Sequence, residues 1–99
     1  GYLDDEGFRA LQLELLENPL AGDVISGTGG LRKLRRPDPR RGKGKRGGLR
    51  VIYYWWEKGA EFWLFTLYDK DEAGDLSPRE RRQLKELVER RRNEAEGKA

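Results

Sequence analysis

Ninety-nine residues, 35% hydrophobic and 39% charged with a net charge of +3, predict a single domain over residues 1–99 with a thin core. The absence of cysteine and histidine excludes disulfides, thiolate metal sites, a cysteine nucleophile and histidine acid-base catalysis, so any chemistry falls to Lys, Arg, Tyr, Asp or Glu. No apolar run approaches the roughly 20 residues that span a bilayer and no signal-peptide pattern opens the chain, which predicts a cytoplasmic protein without membrane contact.

Asp4 is placed to cap a helix over residues 4–17, with Asp5 and Glu6 in its positive first turn and Leu3 stapled to Phe8 across the cap. Phe8, Leu11, Leu15 and Leu16 recur at helical spacing until Pro19 stops the pattern. The Gly-containing stretch from Ala21 to Gly30 reads as a loop that returns Val24 and Ile25 toward the core, and Gly27-Thr28-Gly29-Gly30 reads as a flexible turn rather than a phosphate loop. Up to residue 30 the chain holds six acids against the single base Arg9, a sum of −5; residues 31–50 hold ten bases against Asp38, a sum of +9. Leu31 to Arg36 is a weakly patterned strand. Pro37 to Gly48 has no apolar residue and reads as an exposed loop.

Leu49 to Trp56 and Glu61 to Tyr68 are rich in β-branched and aromatic residues and form a hairpin about Lys58-Gly59. Alternation puts Val51, Tyr53 and Trp55 on one face and Arg50, Ile52, Tyr54 and Trp56 on the other. Asp69, Asp71, Glu72 and Asp75 lie in an acidic connector whose spacing does not match an EF-hand, and no metal or cofactor is expected. Ser77-Pro78-Arg79-Glu80 is a capping box that opens a final helix, with Leu84, Leu87 and Val88 as its apolar stripe and an end expected to fray beyond Glu89. The fold class is therefore α+β, a small antiparallel sheet of about three strands packed on N-terminal and C-terminal helices.

The charge pattern bears on partners. Arginine and lysine bind phosphates by charge and bidentate hydrogen bonds, and splayed bases stack on aromatic rings, so the basic loop (Arg40, Arg41, Lys43, Lys45, Arg46) with Arg50 and Tyr54 on one sheet face points to RNA. The bland alternative is a solvated charge run beside aromatics that belong to the core.

Four blocks resemble, in order and spacing, the HigB branch of the RelE/ParE toxin superfamily: Gly-Thr-Gly-Gly-Leu-Arg-Lys-Leu-Arg (27–35), Gly-Lys-Gly-Lys-Arg-Gly-Gly-Leu-Arg-Val-Ile-Tyr-Tyr (42–54), Leu-Tyr-Asp-Lys-Asp-Glu (67–72) and Asp-Leu-Ser-Pro (75–78). The resemblance implies a toxin of a toxin-antitoxin system. Such a protein is a ribosome-dependent mRNA endonuclease that uses 2′-hydroxyl attack on the adjacent phosphate, without metal, and inhibits translation. It further implies that Lys33, Arg35, Arg50 and Lys70 handle the phosphate, that Lys45 and Arg46 touch RNA or ribosome, and that a cognate antitoxin covers the basic face. Family members usually carry a strand and the start of a helix before the segment matching Tyr2 to Pro19, and a tyrosine late in the connector matching Asp71 to Ser77; neither has a counterpart here. The expectation is a trimmed or engineered chain whose exposed sheet edge invites pairing or homodimerisation. The alternative function is a non-catalytic protein of the same fold, a gyrase inhibitor or a binding scaffold.

Overall fold

The computed structural model describes residues 4–36, 48–69 and 75–97. Its elements run α1 (Asp5–Glu17), β1 (Asp23–Val24), β2 (Arg32–Arg36), β3 (Leu49–Trp56), β4 (Glu61–Asp69) and α2 (Pro78–Gly97). The four strands form one antiparallel sheet in chain order. The α+β expectation holds, with one strand more than the three expected: β1 falls in the stretch read as loop, where two residues, Asp23 and Val24, pair with Lys33 and Arg32. So short a strand leaves no alternation to detect.

Local signals fix both helices. The Asp4 side chain accepts the Gly7 N–H at 2.8 Å at the start of α1, and the Asn18 N–H donates to the Glu14 carbonyl at its end. At α2 the box closes in both directions: the Ser77 N–H donates to Glu80 Oε1 at 2.8 Å, and the Glu80 N–H donates to Ser77 Oγ at 3.1 Å. The expected staple through Leu3 lies outside the described residues.

Each sheet face has its own core. On one face Leu11 and Leu15 of α1 pack with Val51 and Tyr53, flanked by Leu34, Phe62 and Leu67. On the other, Val88 of α2 packs with Leu31 and Ile52, flanked by Ile25, Tyr54, Phe65, Tyr68, Leu76 and Leu84. Leu11 and Leu15 are one helical turn apart and wholly buried, whereas Leu16, expected inside, is 60% exposed because it lies round the helix from them. Val24, expected to turn toward the core, is 59% exposed on the two-residue edge strand, and Leu87 of the expected α2 stripe is 46% exposed.

Strict alternation fails in β4. The register shifts between Ile52 and Tyr53, whose partners are Thr66 and Leu64, so Phe65 is the extra residue of a bulge. The extra residue changes the phase of the strand. Phe62 and Leu67 thereby share the α1 face although they are an odd number of residues apart, and Thr66 and Tyr68 line the α2 face with Trp63.

The expectation that α2 frays beyond Glu89 is corrected: the helix runs to Gly97. The Arg91 guanidinium lies 4.6 Å from the Trp63 ring centroid, Arg92 lies 6.0 Å from that of Tyr54, and Lys58 Nζ donates to Glu96 at 3.2 Å. Arginines on aromatic rings supply the anchorage that a count of apolar residues misses.

Candidate functional site

Thr28 shapes the approach to β2. Its buried hydroxyl donates to the Ile25 carbonyl at 2.6 Å and accepts the Leu31 N–H at 3.2 Å, while the Ile25 N–H donates to the Leu31 carbonyl at 2.9 Å. The glycine turn is thus pinned on both sides. Gly30 has φ +110° and approaches Tyr54 so closely that a Cβ there would lie 3.2 Å from the ring, two reasons for the residue to lack a side chain. The chain leaves this turn with Leu31 and Lys33 directed to the α2 face, and Leu34 and Arg36 to the α1 face. Arg36 pairs with Glu14 of α1, and Arg32 donates to the Gly22 carbonyl at 2.7 Å, which commits both cations to holding β2 against the rest of the fold.

The remaining cations of β2 fall on the other side. Lys33 lies opposite Ile52 and Arg35 opposite Arg50, so Lys33, Arg35 and Arg50 share the α2 face, and Tyr68 of β4 extends the row from Arg50. With strands about 4.8 Å apart, Arg35, Arg50 and Tyr68 span roughly 10 Å across the sheet. Their accessibilities differ: Arg35 is exposed, Lys33 half-buried and Arg50 only 4% exposed.

Of the expected site residues, the structure therefore brings Lys33, Arg35 and Arg50 together on one face. Tyr54 lies on the same face, but its ring stacks on Trp63 at 5.3 Å with Arg92 beside it, and so already has neighbours on the stacking surface. Lys70, Arg40, Arg41, Lys43, Lys45 and Arg46 lie outside the described residues, as does the whole segment 37–47 that carries most of them.

Tyr68 is the residue that reading the sequence overlooked. Burial, followed by the Asp75 carboxylate, pushes its hydroxyl above the usual phenol range; Glu80 adds to the rise, and Arg50 and Arg81 oppose it. Tyr68 keeps its proton at neutral pH and so suits donating a hydrogen bond or a proton. Its hydroxyl and the Arg81 Nε are buried without a hydrogen-bond partner among the described residues. A signal existed in the sequence: Tyr68 sits two residues before Lys70, on the strand that pairs with Arg50.

Chemically, the row offers cations fixed at a sheet surface with a phenol at one end, an arrangement that holds an anion with distributed oxygens. No helix among the described residues is long and apolar enough to cross a membrane. No family model matches the chain.

Proposed function

We propose that the chain is a cytoplasmic mRNA endonuclease toxin of the RelE/HigB type, acting on mRNA at the ribosome and held in check by an antitoxin protein. The carrying observation is that Lys33, Arg35 and Arg50 share one sheet face, with Arg35 and Arg50 directly opposed. In this reading the RNA 2′-oxygen gives up its proton to water and forms a bond to the adjacent phosphorus while the bond from phosphorus to the 5′-oxygen breaks. That 5′-oxygen takes a proton from water, leaving a 2′,3′-cyclic phosphate and a 5′-hydroxyl. Lys33 and Arg35 hold the non-bridging oxygens as they gain charge, and Arg50 supports the field from beneath; no metal or cofactor enters.

The test is a reconstituted translation reaction read by mapping mRNA ends. The parent is expected to cut translated mRNA, and Arg35→Ala to lose about 10²-fold or more of the rate, the scale seen when one transition-state contact is removed. Arg35 is the better probe than Arg50, since its exposure lets it change with little effect on unfolding, while truncating buried Arg50 would also disturb the core. Intact mRNA in the presence of the parent would overturn the reading.

The burial of Arg50 favours a second reading, a non-catalytic member of the same fold in which this arginine serves the core. That protein would leave mRNA intact while inhibiting gyrase or binding a protein partner.

A further inference from the structure

Between the end of β4 and the first turns of α2 lies a cleft of about 260 Å³ lined by Thr66, Tyr68, Asp75, Glu80, Gln83 and Leu84, among others. Its volume falls below the roughly 300–1,000 Å³ of sites for drug-sized ligands, room for one heterocycle rather than a length of chain. The polar groups of the lining are mainly acceptors. Asp75 and Glu80 contribute carboxylates, Glu80 having given one oxygen to the Ser77 N–H, and the Gln83 amide can both donate and accept. Leucine side chains supply flat apolar contact. The Tyr68 hydroxyl, buried and without a hydrogen-bond partner among the described residues, is a donor left over.

The position of this cleft gives the chemistry a direction. Tyr68 stands across from Arg50, and Arg50 across from Arg35, so the cleft closes one end of the cation row. Two carboxylates repel a phosphate, while the row attracts it. A nucleotide is therefore sorted end for end, its phosphate toward Lys33 and Arg35 and its base toward Asp75, Glu80 and Gln83. Carboxylate acceptors match the exocyclic amino group of adenine, cytosine or guanine, whereas uracil has no amino group and offers them only an N3–H set between two carbonyl oxygens.

We propose that the cleft beside Tyr68 reads an amino-bearing nucleobase next to the phosphate held by Lys33 and Arg35. The proposal deepens the RNA reading above and rests on it for the identity of the ligand, but its test does not require cleavage.

The full chain, labelled for NMR, is titrated separately with AMP, CMP, GMP and UMP. The backbone amides of Thr66, Tyr68 and Gln83 are expected to shift with the first three, and UMP to bind roughly tenfold more weakly, the scale of one good base contact. Asp75→Asn, an exposed change that spares the fold, is expected to narrow the gap between CMP and UMP, and Gln83→Leu to weaken all amino-bearing bases. Equal affinity for the four nucleotides, or shifts confined to β2 with none at Thr66 and Gln83, overturns the pocket. The two readings fail separately. A chain that binds AMP in the cleft yet never cuts mRNA keeps the pocket and loses the endonuclease; one that cuts mRNA with no response at Thr66 and Gln83 does the reverse.

Discussion

Arg35 on β2 and Arg50 on β3 stand directly opposite each other on one face of the sheet. Directly opposed like charges destabilise a sheet, on the scale of the roughly 0.2–1 kcal/mol that a favourable cross-strand pair contributes. An anion bound beside exposed Arg35 would relieve part of that repulsion. Arg35→Gln is therefore expected to raise the unfolding free energy by about 0.5 kcal/mol and to weaken RNA cleavage. Urea melts and the translation assay on the same preparation check both signs; a destabilised variant would show that Arg35 has a structural partner instead.

Tyr53 joins the segment after α1 to the middle of the sheet. Its hydroxyl accepts the Gly22 N–H at 2.9 Å and donates to the Pro19 carbonyl at 2.7 Å, with the side chain wholly buried. Tyr53→Phe strands two backbone groups and is expected to cost about 1–3 kcal/mol in chemical denaturation. Burial is also the main reason that its hydroxyl is held above the usual phenol range, against the Gly22 hydrogen bond and Arg32, and Tyr68 is raised as well, again chiefly by burial. For a raised phenol, the stabilising contribution is complete below the unfolded value of 10.0 and is lost as pH climbs through the folded value, because the unfolded chain ionises first. Unfolding free energy should then lose nothing through these two tyrosines below pH 10 and fall above it, and Tyr53→Phe should shallow that fall. An alkaline limb of unchanged slope in the variant would contradict this account.

What the sequence disclosed and what it withheld divide along physical lines. Asp4, Ser77 and Glu80 act within one helical turn, so the start of each helix was legible, and the hairpin was legible from its β-branched and aromatic runs. The opposition of Arg35 and Arg50 was not, because register between β2 and β3 depends on pairing across a long intervening segment with no tight-turn signature. Tyr68 was missed for a related reason. The bulge at Phe65 resets the alternation of β4, and only with that reset do Trp63 and Tyr68 both lie on the face of Arg50 and Tyr54.

The hairpin tip makes two neighbouring substitutions act in opposite directions. A Cβ on Gly59 would lie 2.4 Å from Cε3 and Cζ3 of Trp56, so Gly59→Ala must displace an indole that packs 5.4 Å from Trp63. A loss of about 1–3 kcal/mol is expected from such overpacking. Ala60 instead holds φ at 53°, the left-handed region that suits glycine. Ala60→Gly relieves that strain at some cost in unfolded-chain entropy, for a net gain of about 0.5 kcal/mol. Thermal melts of the two variants decide the matter, and shifts of the same sign would refute the assigned backbone geometry.

The far end of α2 is held by arginines on rings, which has a measurable signature. Trp63 is only 5% exposed, and Arg91 sits 4.6 Å above its centroid. Trp63→Ala is expected to cost about 3–5 kcal/mol as a large core truncation, and Arg91→Ala about 0.5–1 kcal/mol with loss of helical circular dichroism from the last turns. The two effects share one contact, so the double variant should be less unstable than their sum by the cation–π energy. Arginines pinned only by their helix would give strict additivity instead. Lys58→Ala supplies the control, because its bond to Glu96 at 3.2 Å joins two exposed groups and should contribute at most about 1 kcal/mol, falling as salt rises, whereas the ring contact on buried Trp63 should persist.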